Sequence, residues 1–158
     1  MKKFSKLFAT LLVGVLALVL AGCAKKADYK EYIGYQFSGK DPWGNELAVT
    51  IRTLEDDKLT WTYTDVIGKG ENAITLYNEI VSEFKDSASL FNVKGNAENN
   101  NSFDYSGTLT LKDGSVVIKF EKGQLTTNST EGGSGSYQVG ALDEDAKTIT
   151  LTKVVDNN

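Results

Sequence analysis

From Tyr32 onward, apolar and polar residues alternate with a period of two, and turn-forming residues interrupt the pattern every eight to twelve positions. Such a chain buries an apolar face most readily in strands, because a helix needs a stripe of period 3.6. Leu47, Val49 and Ile51 share one face, with Ala48, Thr50 and Arg52 opposite. Leu59, Trp61 and Tyr63 repeat the arrangement against Thr60, Thr62 and Thr64. Ser102 to Glu121 is the clearest hairpin, with Phe103, Tyr105, Leu109 and Leu111 on one face. Asp113-Gly114 then forms a two-residue primed turn, and Val116, Ile118 and Phe120 line the return strand. Gly107, inside a strand, marks a bend or bulge of the kind used at barrel corners.

Residues 72–84 fit both periods. Ile74, Tyr77, Val81 and Phe84 make a helical stripe, whereas Ile74, Leu76, Ile80 and Phe84 suit a strand. A strand is expected, since strands flank the segment and no good helix N-cap precedes Glu71. Further strands are expected over Ile33–Ser38, Ala88–Lys94, Tyr137–Leu142 and Lys147–Val155, the last with Ile149 and Leu151 inward. Gly95–Asn101 reads as a loop, and the Gly/Ser-rich Glu131–Ser136 as a flexible connection. The sum is an all-β domain over residues 32–156, an antiparallel up-and-down β-barrel of about eight strands; a β-sandwich is the alternative. In architecture this resembles the lipocalin and avidin barrels, though no residue motif of either family carries over.

The first 22 residues are built differently. Lys2, Lys3 and Lys6 precede an apolar run from Leu7 to Ala21. That run is shorter than the roughly 20 residues that span a bilayer, and its layout is that of an export signal. Leu20-Ala21-Gly22-Cys23 closes it with the only cysteine in the chain. The tetrapeptide resembles the lipobox of bacterial lipoprotein precursors. The resemblance implies that residues 1–22 are removed, that Cys23 carries a diacylglyceryl group, and that residues 23–31 tether the domain to a cell membrane, facing away from the cytoplasm. Two acyl chains anchor stably where one does not. Removing residues 1–22 takes away three lysines and no acid, leaving 14 basic against 21 acidic side chains, a formal charge of −7. A domain so acidic repels nucleic acid and anionic head groups, so no nucleic-acid partner is expected.

Composition excludes several chemistries. Without histidine, and with its one cysteine acylated, the chain has no His-dependent triad and no zinc site of the usual kind. Arg52 is the only arginine, which excludes a multi-arginine phosphate clamp. The acids at Glu55-Asp56-Asp57 and Asp143-Glu144-Asp145 lack the spacing and glycine of a calcium loop and read as solvated turns. No metal, cofactor or catalytic residue is expected, and the chain reads as a non-enzyme.

Three functional readings follow. The first is a barrel holding one small, partly apolar ligand against Trp61, Tyr63, Phe103 and Tyr105. Tyr63 and Tyr105 would supply hydroxyls, and Gly107 the space. The second is a surface interaction or inhibitor protein whose rings fill the core, with Tyr77 and the 123–136 segment outside. The third is a carboxylate-dependent hydrolase, for which Asp65, Glu79 and Asp104 are the candidates, all three expected to face outward.

Overall fold

The computed structural model describes residues 28–97, 101–129 and 133–155. The expected export signal and Cys23 lie outside them. Nine strands form: β1 (Gln36–Lys40), β2 (Glu46–Glu55), β3 (Lys58–Ile67), β4 (Ile74–Lys85), β5 (Ala88–Ala97), β6 (Asn101–Lys112), β7 (Ser115–Ser129), β8 (Gly133–Gln138) and β9 (Thr148–Lys153). Strands β1 to β7 follow one another as an antiparallel meander, and β9 pairs with both β7 and β1. Eight strands therefore close into a barrel, and β8 is an additional strand hydrogen-bonded to the far half of β7. Residues 72–84 are strand, not helix, from Ile74 on. Among the described residues no α-helix occurs, and no helix is long and apolar enough to cross a membrane.

Three two-residue turns close hairpins at one pole of the barrel. Asp56-Asp57, Asp86-Ser87 and Asp113-Gly114 each place both residues at positive φ, as a primed turn requires. Such turns match the right-handed twist of the strands they join.

Two bulges keep the apolar residues inside. Between Ile51 and Thr53 the register of β2 against β3 shifts, so that Arg52 and Thr53 are both exposed and Leu54 returns to the core side. The second shift lies between Ser106 and Gly107, where Glu121 is the extra residue of β7. It changes the inward set from Val116, Ile118 and Phe120 to Leu125. Because side chains alternate strictly, one extra residue moves everything beyond it to the other face.

The segment before β1 is a plug. Tyr32 N–H donates to the Tyr29 carbonyl (3.0 Å) and Ile33 N–H to that of Lys30 (3.2 Å), winding the chain into turns that end at Gly34, φ 83°. The first strand thus begins at Gln36, three residues later than the alternation predicts. The Tyr32 hydroxyl accepts the Gly114 N–H at 2.8 Å, and Tyr29 shares a 2.5 Å hydrogen bond with Ser87 Oγ. Tyr29 also meets the Phe84 ring edge-on, and Tyr32 stacks on Phe37. Tyr29 therefore belongs to the folded domain, although it lies inside the stretch expected to be tether.

Two other expectations change. Gly95–Ala97 and Asn101 belong to strands rather than to the expected 95–101 loop, whose residues 98–100 lie outside the described residues. The supposed flexible connection supplies β8, with Ser136 opposite Thr126 and Gly135 opposite Thr127. Tyr137 and Gln138 end that strand, and Val139–Ala141 is a 3-10 turn rather than a continuation to Leu142.

Candidate functional site

At the pole opposite the plug, the β1–β2 connection folds around one carboxylate. Asp41 Oδ1 accepts the backbone N–H groups of Trp43 (2.9 Å) and Asn45 (2.7 Å), and Oδ2 accepts Asn45 Nδ2 at 2.8 Å. Gly44 takes a positive φ of 87°, completing the turn. Asp41 is buried, and so is its neighbour Asp65 on β3, which has no exposed surface at all. The sequence places Asp65 on the outer face with Glu79 and Asp104. Those two are outward, but Asp65 continues the odd-numbered row of Leu59, Trp61 and Tyr63 and points inward.

Burial, reinforced by the charge of Asp41, pushes the Asp65 carboxyl from 3.8 up to about 8. Two carboxylates in one dry site cannot both ionise cheaply. The site therefore favours the protonated form of Asp65 beside the Asp41 carboxylate. Its Oδ2 accepts the Tyr63 hydroxyl at 3.1 Å, while Oδ1 receives no hydrogen bond from the protein. One hydrogen bond thus ties Tyr63 to Asp65, and three tie the neighbouring Asp41 to the turn. Burial raises the Tyr63 phenol well above its ordinary range, with Asp65 adding to the effect. The same two causes raise Tyr105.

All four candidate ligand-binding rings face inward: Trp61, Tyr63 and Tyr105 are fully buried and Phe103 nearly so. Two of them pack into a row of rings. Trp61 meets Phe91 edge-to-face at 5.5 Å, Phe91 meets Phe120 at 6.1 Å, and Phe120 meets Tyr105 at 5.8 Å. Trp43 lies against Tyr105 and Tyr137, at 5.7 Å from each, and covers this pole. The Trp61 indole donates to Ser82 Oγ at 3.3 Å. The Tyr105 hydroxyl is buried and has no protein partner. Gly107 does not provide space: a Cβ there would strike the Lys119 carbonyl and crowd Phe91. Its glycine is required by close backbone approach at the bulge.

Among the described residues, clefts open on the outside at two places that matter here. One, of about 430 Å³, lies beside the plug, between Tyr29, Ile33, Leu54 and Phe84. The other, of about 560 Å³, runs across the outer wall over β5, β6, β7 and β8. Register aligns its side chains in two rows. Asn92, Ser106 and Lys122 face one another across β5, β6 and β7. Asp104, Gln124 and Gln138 do so across β6, β7 and β8. Gly123 and Gly140 complete the lining. Gly123 sits at φ 134°, so close to Asp104 and Tyr105 that no side chain fits; Gly140 has open space around it. Asn92 Nδ2 already donates to Asp104 Oδ1 at 3.0 Å, fixing both head groups. None of the four candidate rings lines either cleft. Reading the sequence misses this second cleft, because its residues come from four strands and meet only through register.

Among the described residues no group of acidic side chains is disposed to hold a metal ion. Comparison with protein-family models, with curated proteins and with solved structures returns no match for this chain. The fold and the side chains alone therefore carry the functional argument.

Proposed function

We propose that this is a lipid-anchored, extracytoplasmic protein of the cell envelope that works without catalysis, binding a partner on the outer wall of a filled barrel. The anchor reading rests on Leu20-Ala21-Gly22-Cys23 at the end of the apolar run. The binding reading rests on one contrast: rings packed edge-to-face from Trp61 to Tyr105 occupy the interior, while aligned polar side chains line a 560 Å³ cleft outside. Clefts of this size accept small molecules or short polymer segments. Three large apolar side chains, Tyr77, Val81 and Leu90, are also exposed on β4 and β5.

A second reading keeps the ligand inside, among Trp61, Tyr63, Phe103 and Tyr105. The Tyr105 hydroxyl favours it, as a buried polar atom that a ligand group could complete. Titrating the isotope-labelled full-length protein with solubilised envelope material separates the two. Amide shifts at Asn92, Asp104, Gln124 and Gln138 support the outer wall. Shifts centred on Trp61, Tyr63, Phe103 and Tyr105 overturn it in favour of the interior.

A further inference from the structure

Resting on the outer-wall reading, we infer that the cleft over β5 to β8 is a glycan site, taking an uncharged oligosaccharide that carries acetamido groups. Three properties of the lining lead there. First, it is made of groups that both donate and accept. The carboxamides of Asn92, Gln124 and Gln138 and the hydroxyl of Ser106 match sugar hydroxyls, which do the same. Second, one acid and one base stand diagonally on neighbouring strands. Asp104 is opposite Gln124, and Lys122 is opposite Ser106, two positions along each strand. Asp104 accepts and Lys122 donates, which matches the N–H and the carbonyl of an acetamido group. Third, the side chains stand on successive strands, whose spacing of about 4.8 Å presents hydrogen-bonding groups at regular intervals to an extended ligand.

Competing ligands fit less well. Apolar molecules find no aromatic or aliphatic side chain in the lining. Polyanions meet a single lysine beside an aspartate on an acidic protein.

The test is a titration of the full-length protein, in a non-glycosidic detergent, with chitotriose and with maltotriose, followed by amide shifts. Chitotriose should saturate shifts at Asn92, Asp104, Gln124, Gln138 and Gly140. Maltotriose, which lacks acetamido groups, should bind about tenfold more weakly, as expected for two lost hydrogen bonds of modest net worth. Asp104→Asn and Gln138→Ala should each weaken chitotriose severalfold. Gly140→Trp should block it while leaving the spectrum folded, because Gly140 has open surroundings and no left-handed backbone. Equal affinity for both sugars, or no cleft shifts with either at millimolar concentration, overturns the glycan assignment. If envelope material still shifts the cleft in that case, the outer-wall reading stands without it. If its shifts are confined to the inward rings, both fall.

Discussion

Replacing Asp65 by Asn tests the buried acid pair directly. The variant keeps the shape and the pattern of hydrogen bonds: its Nδ2 can donate to Asp41, and its Oδ1 can accept from Tyr63. What disappears is titration. In the folded protein Asp65 releases its proton near pH 8, and in the unfolded chain near 3.8. Between those values the native state binds the extra proton, so stability falls as pH rises across the window. The Asp65 contribution is full below about pH 4 and lost above about pH 8. Holding one extra proton in the native state changes stability by about 1.4 kcal/mol for every pH unit crossed. Between pH 5 and pH 7 the wild type should therefore lose about 2.7 kcal/mol that Asp65→Asn retains. Asp41, Tyr63 and Tyr105 face the same group and are common to both proteins. Subtracting the two profiles therefore isolates Asp65. Denaturant melts of both proteins at pH 5, 6, 7 and 8 give the difference curve. It should rise by about 1.4 kcal/mol per pH unit and level off above pH 8. A flat difference means that Asp65 is ionised in the native state, and the shared-proton argument fails.

Other outcomes follow from the same structure. Cys23→Ser should move the protein from the membrane fraction to the soluble or secreted one; retention after a carbonate wash would mean that the apolar segment itself holds it. Gly107→Ala should cost about 2 kcal/mol or more in a urea melt, because the added Cβ meets the Lys119 carbonyl. Gly114→Ala, with open space but a positive φ, should cost only about 1 kcal/mol. Tyr105→Phe should raise stability by about 1 kcal/mol by removing an unpaired buried hydroxyl, whereas Tyr63→Phe should lower it by a similar amount by depriving Asp65 of a donor.

How far the chain can be read in advance depends on whether a residue's environment is local. The period-two rows of β2, β3 and β6 are legible because alternation needs no partner to be seen. The primed turn at Asp113-Gly114 is legible because glycine announces it. Gly107 likewise marks the bulge between β6 and β7, but the extra residues are hidden: Arg52 and Glu121 look ordinary in sequence, and only pairing with β3 and β6 makes each the extra one. β8 escapes for a related reason, since Gly133 and Gly135 leave it with no apolar row and β7 supplies its template. Asp65 is misplaced although its row is visible. An acid is ordinarily sent outward, and the neighbour that raises its pKa and lets it stay neutral inside is Asp41, 24 positions earlier in the chain. The inward set of Trp61, Tyr63, Phe103 and Tyr105 can be foreseen, yet their contact with Phe91, Phe120 and Trp43 requires the closed barrel.

The plug gives the barrel a direction. Tyr29 and Tyr32 bind the chain's entry to the pole of the primed turns, and β9 runs back to the same pole, where Val154 N–H meets the Gln36 carbonyl at 2.8 Å. Lys153 reinforces it, donating to the Glu31 carbonyl and lying over the Tyr35 ring. A protein held by Cys23 would then stand on this pole like a lamp on its base. Four residues separate Cys23 from Asp28, a reach of about 17 Å at full extension. So short a stem would keep the primed turns near the head groups and turn the Trp43 pole, with the cleft on its flank, away from the membrane.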